Sequence, residues 1–495
     1  MNKTTSGAFT FIKTLFFKVS KNVFWLICLS ITTAACQFLV YAFINKNLGK
    51  EILGVWSLVI AATSIGQISN FGFSNGLVRY LPELISKNER EKISKLVSTI
   101  HFANFFLSLP VLFLLYFPAV KYAAYLLAPH QFQVFKSIII WCMAGLFINN
   151  LFSVYSYLLD GMQKYYLRCL IQISGWIFFM ISSVMLMPFK GIYGVALAFF
   201  FQSIWQLVIA YIIVAKNNYI PGGFEFGFDK KIFRMVSSFG IKSQAVSVLV
   251  IFFDPIVKFF ITKNIGLIAT ANYEIANKIV IQVRNLLVSA NQVIIPTMVI
   301  NKSHGLENSY FDSMSRRNII LSVCAGIFVL LTSPLIILFF SGKFDPFLMN
   351  IIVVLNFGWI CNMITSLHYY SCTSFDRLNS VIIYHFILAI FTCTTYFIIS
   401  NFTHNDYIYF YVPPIVLFVG SIYNSYALSD IIDAAFSWLK SIPFLYITFG
   451  SIFFLVYSPK TILSAYGILI ILSSVFFIWL WCKYNLAAFI KNNKS

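Results

Sequence analysis

Charged residues are scarce in this sequence. Only 10% of the 495 residues are Asp, Glu, Lys or Arg, whereas soluble globular proteins carry roughly 25%. Long polar segments are also missing, as are the Walker A, HExxH and GxSxG patterns of nucleotide-binding and hydrolytic sites. The sequence therefore leaves no room for a soluble catalytic or nucleotide-binding domain, and we expect neither an enzyme nor a bound cofactor.

Cysteine is present but gives no sign of pairing. The nine cysteines stand singly within or beside apolar stretches, and no CxxC motif occurs. This distribution is typical of small packing residues and not of disulfides or a metal site. We therefore expect no metal.

Long hydrophobic runs are what the chain has in abundance. Hydrophobic residues make up 59% of the sequence and the mean hydropathy is +0.83, while a membrane-spanning helix needs about 20 mostly apolar residues. The sequence predicts an all-α polytopic membrane protein with 14 spans, or alternatively 12. Their centres lie near residues 33, 65, 106, 146, 176, 203, 250, 286, 329, 359, 389, 418, 449 and 471.

The net charge of +19 is explained by topology. Most lysines and arginines lie in the two tails and in alternate loops, which is the bias of cytoplasmic segments. We therefore expect both termini in the cytoplasm, an uncleaved first span, and contacts with anionic membrane lipids rather than with nucleic acid.

The chain contains an internal repeat. Residues 43–49 (FINKNLG) return as residues 260–266 (FITKNIG), and an aromatic follows seven residues later in both copies, as Trp56 and Tyr273. Both copies fall between the first and second spans of a six-span block, so the sequence predicts two like-oriented six-helix bundles related by a pseudo-two-fold axis along the membrane normal, as in alternating-access transporters. The predicted segments are a first bundle (1–216), a basic cytoplasmic linker (217–235), a second bundle (236–432) and two further spans with a tail (433–495).

Five ionisable residues occur in the seventh and eighth spans. They are Asp254, Lys258, Glu274, Lys278 and Arg284. Each is unfavourable at membrane depth by at least about 2.5–3.5 kcal/mol, so such residues are rare without a function or a partner. The first four form two acid-first pairs at i,i+4 spacing, which would fix helix packing if each pair merely neutralised itself. Because Arg284 has no acid within a turn, we favour a hydrated, net positive lining that attracts an anion.

Further polar residues accompany this stripe. Asn277 and Asn285 lie on or beside it in the eighth span, and Gln67 and Arg79 occur in the second span. Arg79 is equally well explained as a cavity residue or as an anchor at the membrane interface.

Two other groups of residues have less specific interpretations. Intramembrane histidines pack or titrate near neutral pH, and those here are His101, His368 and His385. Charges beside predicted loops are expected to be solvated, and they are Asp160, Lys164, Arg168 and Arg377.

Four segments, in order and at matching spacing, resemble one known family. They are Asn70–Tyr80, Asp160–Tyr165, Gly191–Ala196, and the run from Asp254 through Lys258, Gly266, Tyr273, Ala276 and Lys278 to Pro296. Over residues 20–300 the chain resembles the polysaccharide-unit flippases, the Wzx-type O-antigen transporters of the multidrug/oligosaccharidyl-lipid/polysaccharide (MOP) superfamily. Asn70 stands where many of these relatives carry an acid.

The resemblance implies a flippase of the bacterial inner membrane. Its substrate would be an oligosaccharide repeat unit on a polyprenyl pyrophosphate, moved from the cytoplasmic to the outer leaflet, with a polysaccharide polymerase and chain-length machinery as partners. The substrate contacts would be Arg79, Lys258, Lys278, Arg284, Asn277, Asn285 and Gln67. Asp254 or Glu274 would respond to H⁺ or Na⁺. The alternatives are a multidrug/cation antiporter, a lipid-II-type flippase and a membrane-embedded polymerase or ligase.

Overall fold

The computed structural model describes residues 4–220, 227–291, 298, 306–375, 377–402, 407–433 and 435–441. Apart from two short 3₁₀ turns, the regular elements of this part are all α-helices. They are α1 (Thr4–Gly66), α2 (Asn75–Ser86), α3 (Arg90–Leu126), α4 (Pro129–Gly161), α5 (Tyr165–Lys216), α6 (Lys230–Asn264), α7 (Leu267–Asn291), α8 (Glu307–Ser341), α9 (Pro346–Ser374), α10 (Leu378–Phe402) and α11 (Ile408–Tyr426). The spans predicted near residues 449 and 471, linker residues 221–226 and Pro296 lie outside the described residues.

The helices confirm an all-α, multi-pass membrane protein. Within the described ranges, eight helical stretches are long and apolar enough to cross a bilayer. Two of these stretches, 63 and 52 residues long, far exceed the roughly 20 residues of one crossing. Each contains a glycine with non-helical backbone, Gly49 (φ 85°) in α1 and Gly191 (φ 56°) in α5. Each stretch is therefore long enough for two crossings and turns at a glycine between them.

Helices α6 and α7 are the predicted seventh and eighth spans. They are 35 and 25 residues long, which suits a membrane crossing. Helix α7 carries Glu274, Lys278 and Arg284 together with several asparagines, a composition typical of helices whose polar faces contact protein or water.

The chain folds into two compact units, which we call unit 1 (Met1–Pro255) and unit 2 (Ile256–Ser495). The boundary falls inside α6, which continues through Pro255 as one helix. Residues 230–255, the larger part of α6, therefore pack as part of unit 1. The predicted bundle limits, 1–216 and 236–432, remain a prediction.

Both copies of the repeat form the same local structure. Gly49 and Gly266, which end residues 43–49 and 260–266, have φ of 85° and 115°. Residues other than glycine rarely adopt such positive φ angles. In both copies the chain thus turns at the repeat glycine between two helical segments.

The side chains of the repeat also match. The Nδ2 atoms of Asn47 and Asn264 each donate a hydrogen bond of 2.8 Å to the carbonyl four residues earlier. The aromatic side chains seven residues past the glycines, Trp56 and Tyr273, are both 1% exposed. The repeat found in the sequence is therefore a structural repeat at the start of both units.

The second span, predicted as one helix centred near residue 65, is interrupted. Helix α1 ends at Gly66, a 3₁₀ turn follows, and α2 begins only at Asn75. Gly72 has φ of 68°, and a Cβ there would lie 2.6 Å from the carbonyl oxygen of Gly240. The close approach of two backbones thus fixes the interruption. Irregular backbone at membrane depth occurs only inside protein or beside a cavity.

Candidate functional site

The interrupted helix borders a cavity within unit 1. The cavity is partly open and has a volume of about 330 Å³. Its lining is mostly polar and is dominated by carboxamides. The polar lining residues are Gln67, Asn70, Asn75, Asn149, Asn150, Ser153, Ser156, Tyr157, Arg168, Gln172 and Gln244, and the others are Gly72, Leu146, Phe152 and Ile251.

Helices α4 and α5 supply much of this lining through their periodicity. On α4, Asn149, Ser153 and Ser156 follow one another at spacings of four and three residues, and on α5 Arg168 and Gln172 are four apart. These spacings place side chains on one helix face. The stripe was not predicted, although its spacing is present in the sequence.

A buried hydrogen-bond network holds the interruption against α3 and α4. Nδ2 of Asn150 donates to Oγ of Ser69 at 2.7 Å, and Nδ2 of Asn104 donates to Oγ of Ser74 at 3.1 Å. The hydroxyls of Ser74 and Ser153 lie 2.8 Å apart. Because buried polar groups are unfavourable without partners, this network fixes both ends of the irregular segment to α3 and α4.

Asp160 and Arg168 form an ion pair at the cavity. Nη1 of Arg168 lies 3.0 Å from Oδ2 of Asp160, and their side chains are 22% and 8% exposed. The prediction that these two are solvated loop charges is therefore wrong. They lie on either side of the tight turn between α4 and α5, so the antiparallel helices bring them together inside the protein.

Several cavity residues carry buried polar atoms without a hydrogen-bond partner within the described part of the chain. These atoms are Oδ1 of Asn70, Oγ of Ser156 and Nε of Arg168. They comprise an acceptor, a hydroxyl and a cationic donor. Since buried polar groups are normally hydrogen-bonded, the cavity is equipped to bind a ligand that both donates and accepts hydrogen bonds.

The structure separates the two residues predicted in the second span. Gln67 lines the cavity, and its carbonyl oxygen accepts a hydrogen bond of 3.3 Å from Nε2 of Gln244. Arg79 is exposed on α2 and is not among the cavity residues. Its guanidinium lies 5.5 Å from the ring centre of Tyr80. Asn70, which replaces the acid of the relatives, also lines the cavity and donates to Oγ of Ser153 at 3.4 Å.

In unit 2, Glu274 lies between two lysines. Its carboxylate is 2.6 Å from Nζ of Lys258 and 3.8 Å from Nζ of Lys278. The Lys258 and Glu274 side chains are 2% and 1% exposed, whereas Lys278 is 28% exposed. The predicted pair within α7 is present, but the shorter contact joins α6 to α7. Spacing along one helix could not predict that contact.

A second polar cluster in unit 2 surrounds Arg284. Its Nε donates to Oδ1 of Asn362 and its Nη1 to Oδ1 of Asn285, both at 3.0 Å. The guanidinium lies 5.5 Å from the ring centre of Trp359, whose Nε1 donates to Oδ1 of Asn277 at 3.1 Å. The structure thus brings together three predicted residues and adds Trp359 and Asn362 of α9. These partners are neutral, so none of them offsets the positive charge of Arg284.

Two of the histidines have partners inside unit 2. His368 is buried, with Nε2 2.7 Å from the carbonyl oxygen of Ala435 and its ring packed edge-on against Phe311. His385 has Nε2 3.4 Å from the hydroxyl of Tyr369. For His368 the packing interpretation is confirmed.

A known protein family matches this chain in sequence. Residues 19–302 match the family described as "Polysaccharide biosynthesis protein", which is more than half of the chain. No curated protein is significantly similar in sequence.

Three solved structures share the fold. A lipid II flippase MurJ in an inward closed conformation is 13% identical with a TM-score of 0.72, covering 94% of this chain and 100% of that one. An inward-facing multidrug resistance MATE family transporter of the MOP superfamily is 12% identical with a TM-score of 0.71, covering 79% and 92%. A MOP superfamily transporter from Pyrococcus furiosus, described as having a binding pocket of reverse polarity, is 13% identical with a TM-score of 0.61, covering 84% and 96%.

At these identities the three structures show a common fold and nothing about the substrate. The match to the family covers the interrupted helix, the Asp160–Arg168 pair and the Glu274 cluster. The resemblance noted in the sequence is therefore confirmed, and the chain belongs to the polysaccharide biosynthesis protein family within the MOP transporter fold.

Proposed function

We propose that the protein is a flippase for oligosaccharide repeat units linked to a polyprenyl pyrophosphate. It would carry them by alternating access from the cytoplasmic to the outer leaflet of the bacterial inner membrane, with both termini in the cytoplasm. The observation that carries the proposal is the carboxamide-rich cavity of unit 1 in a chain of the polysaccharide biosynthesis family. The O-antigen or another surface polysaccharide would be the product that uses the flipped unit.

The unit 1 cavity suits the sugar end of such a substrate. Carboxamides and hydroxyls both donate and accept hydrogen bonds, as sugar hydroxyls do. Gln67 is the one predicted substrate residue that lines it, and Asn70, Ser156 and Arg168 add buried polar atoms that need partners. An entirely hydrophobic compound would leave these groups unsatisfied.

The Arg284 cluster in unit 2 suits the pyrophosphate. Guanidinium and ammonium groups form strong charge-assisted hydrogen bonds with phosphate oxygens, and Arg284 has neutral hydrogen-bond acceptors. Lys278, at 28% exposure, would add a second cation, with Asn277 and Asn285 orienting the cluster. In this proposal Lys258 positions Glu274, and Arg79 guides the anion from the exposed face of α2.

An ion gradient is the proposed energy source, with Asp254 or Glu274 as the group that responds to H⁺ or Na⁺. Glu274 is supported by its place between two lysines, since a change in its charge would alter both contacts. A polysaccharide polymerase and its chain-length partners would act on the flipped unit.

A lipid-II-type flippase is the second candidate, favoured by the MurJ fold likeness over 94% of the chain. A cation antiporter is the third, favoured by the MATE likeness. Loss of viability on deletion would favour the former, and drug hypersensitivity of a deletion strain the latter.

The proposal is tested by the leaflet location of the lipid-linked sugar in cells depleted of the protein. Intact spheroplasts and opened membranes are labelled with a lectin or a membrane-impermeant oxidant. We expect the intermediate to be labelled only after the membranes are opened, with its assembly otherwise normal. Labelling in intact spheroplasts at the level of undepleted cells would overturn the proposal.

Neutralising Arg284 should strongly reduce transport. In Arg284→Gln the proposed pyrophosphate site loses its guanidinium, and hydrogen bonds to charged groups contribute about 1.5–3 kcal/mol, so we expect surface polysaccharide to fall at least about tenfold. Arg316→Gln removes an arginine of unit 2 that is 53% exposed and paired with Asp312, and it should change nothing. Both are measured by polysaccharide blotting at equal membrane protein, and undiminished polysaccharide in Arg284→Gln would refute the assignment.

A further inference from the structure

The cavity of unit 1 is polar but carries no net formal charge. Arg168 is the single formally charged side chain among its lining residues. The carboxylate of Asp160, with a side chain only 8% exposed, lies 3.0 Å from that guanidinium. The charge of Arg168 is therefore offset within the protein before a ligand arrives, in contrast with Arg284 of unit 2, whose hydrogen-bond acceptors are neutral.

This neutrality disfavours an anionic sugar. A carboxylate entering the cavity loses its hydration, which is unfavourable unless a full counter-charge replaces it. Here its attraction to Arg168 is opposed by repulsion from Asp160, so no such counter-charge exists. An uncharged sugar loses far less hydration and meets hydrogen-bonding groups directly.

Among the uncharged substituents that a sugar can carry, the lining of the cavity is best suited to bind amides. Asn149, Asn70 and Gln172 are carboxamides facing the cavity, and each pairs an N–H donor with a C=O acceptor. An acetamido substituent offers the complementary N–H and C=O. Its methyl group has apolar surface to contact on Phe152 and Leu146, which sugar hydroxyls would not use.

We propose that the unit 1 cavity binds uncharged sugars bearing acetamido groups, and that the Asp160–Arg168 pair excludes sugars bearing a carboxylate. This inference rests on the proposed function, because it names the class of sugar that the unit 1 cavity of the proposed flippase would bind.

Binding of soluble disaccharides to the purified full-length protein in lipid nanodiscs tests the inference. The probes are diacetylchitobiose, cellobiose, and the disaccharide of glucuronate and N-acetylglucosamine, with dissociation constants from saturation-transfer NMR. We expect diacetylchitobiose to bind at least about tenfold more tightly than either other probe, because the glucuronate carboxylate would be repelled by Asp160 and cellobiose would leave the amides of the lining without an acetamido partner.

Two variants isolate the role of charge. Asp160→Asn leaves Arg168 without its carboxylate, so the preference for diacetylchitobiose over the glucuronate probe should fall at least about tenfold. Asp160→Asn combined with Arg168→Gln is again uncharged and should retain that preference. Glu83→Gln makes the same charge change in a surface pair with Lys87 and should bind as the parent does.

The inference is overturned if the parent binds no probe, or binds the glucuronate probe or cellobiose as tightly as diacetylchitobiose. If the single variant does not fold, the parent and the double variant still decide it, since both must prefer the acetamido sugar. These outcomes are distinct from failure of the proposed flipping, which is read from the leaflet location of the lipid-linked intermediate and requires no free sugar.

Discussion

Glu274→Gln should destabilise the protein far more than neutralising an acid on its surface. Nζ of Lys258 lies 2.6 Å from the Glu274 carboxylate, and both side chains are almost fully buried. Replacing the carboxylate by a neutral amide takes away the acid that the buried Lys258 ammonium contacts at 2.6 Å, and removing one partner of a buried pair typically lowers the free energy of unfolding by about 3–5 kcal/mol. The thermal unfolding midpoint in detergent measures this, and we expect a clear fall.

Two further variants distinguish the loss of one partner of the buried pair from the removal of a charge elsewhere in the protein. Glu83→Gln removes the acid of an exposed pair whose side chains are 57% and 61% exposed, and such pairs contribute at most about 1 kcal/mol. Lys258→Met combined with Glu274→Leu removes both buried charges and should restore much of the midpoint, because apolar side chains replace a buried pair well. An unchanged midpoint in Glu274→Gln would contradict the geometry described for α6 and α7.

Gly358→Val should separate two helices of unit 2. Gly358 of α9 lies directly against Pro414 of α11, and a Cβ at residue 358 would overlap the Pro414 backbone and lie 2.7 Å from its Cβ. Overpacking of this kind typically lowers stability by about 1–3 kcal/mol or more, and backbone cannot move aside as a flexible side chain can. We expect a lower unfolding midpoint and a smaller monodisperse fraction in size-exclusion chromatography.

Thr394→Val is the control for Gly358→Val. Thr394 is exposed on α10, so valine there exchanges one β-branched side chain for another and places valine in a helix without a clash. The control should unfold at the parental temperature. If Gly358→Val did the same, close packing of α9 on α11 would be refuted.

Much of the fold could be predicted from the sequence because bilayer burial and repeats leave direct signals. The apolar runs predict the helices. A seven-residue segment that returns at an offset of 217 predicts the structural repeat, in which Gly49 and Gly266 lie at the turns. The interruption at Gly72 was not predicted, because it depends on close approach to Gly240, more than 160 residues later in the chain.

The candidate site was harder to predict, since its pairings join different helices. Spacing along α7 correctly linked Glu274 to Lys278, but the shorter contact of Glu274 is with Lys258 on α6. Asp160 and Arg168 were assigned to solvent because they flank a turn, whereas the helix pair encloses them. Hydropathy averages over helix faces and so hides which polar residues are enclosed.

One set of polar residues holds the interrupted helix in place, and a different set lines the cavity beside it. Buried Ser69, Ser74 and Asn104 hold the irregular segment in place and do not line the cavity, whereas partly exposed residues such as Asn149 and Gln172 face it. Substitutions of the second kind would change the lining of the cavity while leaving these buried contacts intact. The chemistry of the cavity and the stability of the irregular segment can therefore vary independently of each other.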